Sequence, residues 1–113
     1  MDEWNSQLRR GVLQLGILAL IEAEQRYGYD IVTLLEKTPQ LAAGEGTIYP
    51  LLRRLKKDGW VDTFWRESAA GPPRQYYRLT EEGRVVLSSM RSEWTQLVAA
   101  VNGLIGGGSA DHV

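Results

Sequence analysis

The stretch whose reading decides the fold is Glu45–Trp60, EGTIYPLLRRLKKDGW. At about 100° per residue, Ile48, Leu51, Leu52 and Leu55 fall in one sector and form the buried face of an amphipathic helix. Arg53, Lys57 and Pro50 fall nearly opposite. Arg54 and Tyr49 lie on the two flanks of that outer face, with Lys56 nearer the core boundary. Pro50 is expected in the first turn, where a missing N–H costs no helical bond. Thr47 is expected to cap the Tyr49 amide, and Asp58-Gly59 offers a stop. A cationic face this dense either keeps a surface helix soluble or meets an anion. Its glycine-threonine entry, tyrosine and terminal glycine give it the make-up of a recognition helix for nucleic acid.

Charge is distributed around that helix rather than evenly. The 113 residues carry a net charge of -1. Residues 1–46 hold four basic and seven acidic side chains, and residues 47–60 hold four and one. Residues 61–79 hold three and two, and residues 80–113 hold two and four. The positive charge is therefore central, and an acidic remainder limits non-specific adhesion to DNA. The length suits one domain with one modest core, and 43% hydrophobic residues are enough to fold it. No apolar run spans a bilayer, so no membrane partner is expected. The start, Met1-Asp2-Glu3-Trp4, lacks the basic region of a signal peptide. Without cysteine there are no disulfides or thiolate metal sites, which fits a cytoplasmic protein.

Upstream, residues 7–25 read as a helix that is apolar nearly all round. Val12, Leu15 and Ala19 point one way, and Leu13, Ile17 and Ile21 the other. A small domain can hardly cover both sides, so we assign Leu13 and Ile17 to a partner subunit. Tyr27-Gly28-Tyr29 opens a second helix, with Asp30 in its positive first turn and Ile31, Leu34 and Leu35 on its core face. Pro39 ends it, and residues 38–46 make the turn. Helix, helix, turn and basic helix is the order of a helix-turn-helix unit.

Downstream, Trp60–Arg66 has strand character, Ser68–Pro73 has turn chemistry, and Gln75–Leu79 is the second strand. A hairpin directly after a recognition helix is a wing. Its expected tip carries Arg74, with Arg66 nearby, to reach phosphates or a narrow minor groove; the plainer reading leaves both in solvent. Thr80-Glu81-Glu82 starts the last helix with a capping hydroxyl and two acids. Leu87, Met90, Trp94, Leu97, Val101 and Leu104 then recur at steps of three and four, an a/d seam. That seam predicts dimerisation through the last helix, unless it folds back on its own domain. Gly106-Gly107-Gly108 ends the order, leaving a flexible tail.

The expected architecture is mainly α with a small β-hairpin. A winged helix-turn-helix spans residues 1–79, a C-terminal dimerisation helix 80–105 and a tail 106–113. No enzyme is indicated: the single histidine, His112, lies in the tail, no carboxylate pair stands out, and no hydroxyl has a placed base. Neither a metal nor another cofactor is called for. A protein-binding winged-helix module without DNA binding is the alternative, but such modules tend to lose the basic outer face that Arg53, Arg54 and Lys57 keep here.

Three segments make the chain resemble the PadR family of bacterial transcriptional regulators: Tyr27–Ile31, Glu45–Leu55 and Gly71–Arg84, in the family's order and spacing. With the first helix they cover residues 8 to about 100. The middle segment is highly specific. The single short last helix is similar to the smaller PadR subgroup, whose dimers are closed by the first and last helices. The resemblance implies a homodimeric winged-helix repressor on double-stranded operator DNA, often released by a small molecule. Tyr27, Thr47, Tyr49, Arg53, Arg54 and Arg74 match family positions that touch DNA or lie beside it, and Lys57 joins them from its place on the wheel. Trp94 resembles a residue that sandwiches flat aromatic or drug-like effectors between two subunits, with Met90 able to adapt and Trp4 able to close the pocket. The competing reading leaves Trp94 as dimer core.

Overall fold

A computed structural model describes residues 2–106. Its elements are α1 (Asp2–Ala23), β1 (Arg26–Tyr27), α2 (Gly28–Glu36), a 3₁₀ turn (Pro39–Leu41), α3 (Glu45–Lys57), β2 (Val61–Ser68), β3 (Gly71–Leu79) and α4 (Glu81–Ile105). The strands form one antiparallel sheet in the order β1-β3-β2. This is the expected winged helix, mainly α with a hairpin, plus a third short strand that the sequence did not announce. Two residues carry no period, so only pairing with Tyr76 and Tyr77 makes β1 visible. His112 and the rest of the expected tail beyond Gly106 lie outside the described residues.

The core draws on every major element. Leu13, Ile17, Leu18 and Ile21 of α1 meet Ile31, Val32 and Leu35 of α2, and Ile48, Leu52 and Leu55 of α3. Val61, Tyr77 and Leu79 close it from the sheet and Leu87 from α4. Each such side chain contributes about 1.5–3 kcal/mol on burial. This overturns part of the assignment to a partner. Leu13 and Ile17 are 4% and 0% exposed within the chain's own core, and Leu87 is 0% exposed, so none of the three faces outward. The wheel of α1 gave two apolar sides but not which one the domain covers; Val12, Leu15 and Ala19 are the half-buried side.

The ends of α3 depart from expectation at the start and match it at the stop. Gly44 is the N-cap, and the amides of Thr47 and Ile48 both donate to its carbonyl at 3.0 and 3.1 Å. Thr47 is thus the third helical residue and caps nothing. With that start, Pro50 falls in the second turn and removes the amide that would have bonded the Gly46 carbonyl; both residues are exposed, so water can serve it. At the other end Gly59 takes φ +84°, its amide donates to the Lys56 carbonyl, and the Trp60 amide donates to Leu55. That pair of bonds is a Schellman stop, which favours glycine at this position.

Thr80 caps α4 as expected: its hydroxyl accepts from the Gly83 amide at 2.9 Å and donates to the Gly59 carbonyl at 2.6 Å. A Cβ on Gly83 would stand 2.0 Å from the Trp60 carbonyl oxygen, so glycine is what lets α4 start against the end of α3. Only the first turns of α4 are covered. Beyond Met90 the helix runs on with Trp94, Leu97, Val101 and Leu104 exposed, and Arg91 tied back to Glu22 of α1 at 2.9 Å.

Candidate nucleic-acid interface

Tyr49, Arg53 and Lys57 recur every four residues and form one ridge along α3. Arg53 and Lys57 are exposed and have no carboxylate within 4.0 Å among the described residues. Arg54 is exposed as well and lies 4.0 Å from Asp58, a loose pair in solvent. Lys56, expected nearer the core, is also exposed, so the whole last turn is cationic.

The wing side of this ridge is built on aromatic rings. A Cβ on Gly28 would come within 2.6 Å of the Tyr49 ring, so the glycine of Tyr27-Gly28-Tyr29 is what admits Tyr49. Tyr27, Tyr29, Tyr49, Arg74, Gln75 and Tyr77 line a cleft of about 180 Å³ there. The Arg74 guanidinium lies 4.5 Å over the Tyr27 ring, which itself stands 5.7 Å from Tyr76. Burial pushes the Tyr77 phenol above its ordinary value, and the Arg53 guanidinium partly offsets this. Burial, then the Glu45 carboxylate, pushes Tyr49 up too. Both tyrosines therefore stay neutral hydroxyl donors well past neutral pH.

Arg74 is not at the tip of the wing. The hairpin turns at Ala69-Ala70, and Gly71-Pro72-Pro73-Arg74 belong to β3, with Arg74 paired against Arg66. Turn-type residues read as a loop, yet a proline on an edge or near a strand start is compatible with extended backbone. The outer face of the sheet carries a row that the sequence did not single out as a unit. Arg66 stacks on Tyr76 at 4.3 Å and donates to Gln25 at 3.1 Å, while Arg78 stacks on Phe64 at 4.9 Å and pairs with Asp62 at 2.7 Å. Period-two alternation places these residues on one face, but their stacking needed the strand register.

The other flank of α3 holds Thr47 and Arg54. They line a cleft of about 300 Å³ with Pro50, Leu51, Leu13, Gln14 and Arg10. An adjoining cleft of about 440 Å³ is shared by Thr47, Gly44, Ser6, Arg9 and Arg10. The seven nominated residues thus divide: Tyr27, Tyr49, Arg74 and Arg53 on the wing side, Lys57 farther along the ridge, Thr47 and Arg54 on the α1 side. Arg10 was missed because Arg9-Arg10 ahead of an apolar run reads as ordinary helix-surface charge, and nothing in one dimension places it beside α3.

Met90 and Trp94 line a separate cleft of about 190 Å³ with Val12, Leu15, Glu93 and Leu97 between α1 and α4. Trp94 is 42% exposed. Trp4 is exposed and is not among the lining residues of this cleft. Among the described residues no cluster of potential metal ligands is present, and no helix is long and apolar enough to cross a membrane.

A family model described as the transcriptional regulator PadR-like family matches residues 17–89. Among solved structures, a PadR-like transcription factor from Bacteroides fragilis is 41% identical, with a TM-score of 0.73 over 91% of this chain and 99% of its own. A PadR-like transcriptional regulator from Bacillus cereus is 36% identical, with a TM-score of 0.81 over 88% of this chain and 96% of its own. Bacillus subtilis PadR, solved in complex with operator DNA, is 26% identical, with a TM-score of 0.64 over 70% of this chain and 45% of its own. The match across the core and the shared winged helix show that the chain belongs to the PadR-like family, whose members are transcriptional regulators and not enzymes.

Proposed function

We propose that the chain is a homodimeric, sequence-specific DNA-binding repressor that works in the cytoplasm. The observation that carries this reading is the ridge of half-buried Tyr49 and exposed Arg53 and Lys57 on α3, flanked by Arg74 over Tyr27 on one side and Arg54 with Thr47 on the other. A basic α-helix suits the major groove, where Arg53 or Arg54 can fork onto a guanine edge. Tyr27, Tyr49 and Thr47 offer hydroxyls, and Arg74 a guanidinium, to backbone phosphates. The B. subtilis relative solved on operator DNA supports the same use of the fold.

Dimerisation is proposed from the outer half of α4. Leu97 and Leu104 are 56% and 87% exposed, and with Trp94 and Val101 they form a stripe that one subunit leaves open, continuing from the half-buried Met90. Leu13, Ile17 and Leu87 drop out of this interface, and Val12 and Leu15 of α1 take the place given to the first two. The functional boundary then runs within α4 near Met90, since the turns before it belong to the winged-helix core. Two copies closed in this way would set the recognition helices about one turn of DNA, roughly 34 Å, apart. Arg53→Ala and Arg54→Ala test the reading in gel shifts on the chain's own promoter region at low salt. Whichever arginine reads a base should cost about 1–3 kcal/mol in affinity. Unchanged binding by both variants refutes the assignment of α3.

The Trp94 cleft is proposed as the place where a flat aromatic effector releases the repressor. Only a ligand that favours the DNA-incompetent dimer can do so, because equal affinity for both states shifts nothing. Such compounds should quench Trp94 fluorescence, and a Trp94→Ala variant should lose the interaction by calorimetry. Equal binding by that variant moves the pocket elsewhere.

A further inference from the structure

We infer that the DNA-binding surface extends from α3 onto the start of α1, where Arg10 grips a backbone phosphate on the flank opposite the wing. This rests on the reading of α3 as the recognition helix. Arg10 lines both clefts on that flank, the one shared with Gly44 and Thr47 and the one shared with Thr47, Pro50 and Arg54. Its side chain therefore runs beside the first turns of α3 without belonging to α3.

Charge accounting separates Arg10 from its neighbours. Arg9 is committed to the fold: it donates to the Ala42 carbonyl at 2.5 Å and pins the turn before α3. Arg26, Arg78 and Arg91 are each held by a carboxylate. Arg10 is exposed, and no carboxylate lies within 4.0 Å of it among the described residues. A free cation beside a recognition helix suits a phosphodiester for a geometric reason. A helix in the major groove, about 12 Å wide, has a wall of phosphates on each side. Arg74 and Tyr27 serve the wing-side wall. Arg10 sits where the other wall would pass, and a contact there holds the helix in register from both sides. Because α1 stands beside the recognition helix, Arg10 meets the strand rather than a base edge.

The test is fluorescence anisotropy across a series of NaCl concentrations. The probes are a duplex from the chain's own promoter region and an unrelated duplex of equal length. Arg10→Ala should weaken both by the same factor and lower the salt slope by about 0.9 for each subunit's contact. Arg10→Lys should restore the slope, since charge is what counterion release reads. Whichever of Arg53→Ala and Arg54→Ala removes the base-reading arginine should instead narrow the ratio between the two duplexes. An unchanged slope and affinity for Arg10→Ala, with Arg53→Ala or Arg54→Ala impaired, overturns the role of Arg10 and leaves the α3 reading standing. No effect of Arg10→Ala, Arg53→Ala or Arg54→Ala overturns both. A lower melting temperature for Arg10→Ala, or loss of discrimination without loss of slope, also removes the phosphate assignment.

Discussion

Single residues at this site act largely by making room or offering a surface. Gly28 is required less for backbone freedom than for the space that the Tyr49 ring fills. Tyr27 presents its face to the Arg74 guanidinium at 4.5 Å, so its ring can hold that charge in place whether or not its hydroxyl meets a phosphate. The two roles separate by substitution. If stacking dominates, Tyr27→Phe should keep most of the DNA affinity, whereas Tyr27→Ala should lose about 0.5–2 kcal/mol and shift the salt slope. Anisotropy at two salt concentrations reads the difference, and equal losses by both variants would assign the effect to the hydroxyl. The tyrosines and arginines stood out in the sequence as residue types. Their pairing did not, because Tyr27 and Arg74 are 47 positions apart and meet only through the β1–β3 pairing.

At the scale of elements, the joint between α3 and α4 is specified by a glycine stop, a threonine cap and a close approach that admits only glycine at position 83. Gly59 ends one helix, Thr80 starts the other, and the Thr80 hydroxyl bridges the two through the Gly83 amide and the Gly59 carbonyl. Thr80→Ala loses a cap and a second hydrogen bond, an expected cost of about 1–2 kcal/mol. In a domain this size that lowers Tm by roughly 4–8 °C per kcal/mol, measurable by circular dichroism. Thr80→Ser should recover most of it. The stop of α3 and the cap of α4 were legible because both are local in sequence. The start of α3 was not: glycine and threonine both serve as N-caps, and the chain uses Gly44, three residues before Thr47. The proline-rich entry to β3 was misread for a similar reason, since turn residues and residues at the start of a strand overlap, and β1 pairs only with Tyr76 and Tyr77 beyond the prolines.

For the molecule as a whole, one core fastens three helices, the sheet and the first turns of α4, while the rest of α4 projects away and the longest dimension reaches 58 Å. Tyr77 links that core to the α3 surface and gives the fold an alkaline limit. Its phenol is raised above 10.0 by burial, so the native state holds the proton more tightly than the unfolded chain. Stability from this source is complete below pH 10 and is lost as pH climbs through the folded value. Urea midpoints should fall between pH 9 and pH 11, and Tyr77→Phe should reduce the fall; Tyr49, also raised by burial, would account for part of what remains. An identical decline in the Phe variant would place the alkaline sensitivity elsewhere.

The sequence alone determined the winged helix, its basic helix α3 and the apolar stripe of the last helix, because helical period, strand period and local caps are properties of neighbouring residues. Only the tertiary structure decided which side of α1 enters the core. It also withdrew Leu13, Ile17 and Leu87 from any outer face, set Arg74 over Tyr27, and brought Arg10 alongside α3. Those outcomes depend on which surfaces compete for one small interior and on contacts between residues distant in the chain. A helical wheel specifies a direction around its own axis, and packing decides what lies in that direction.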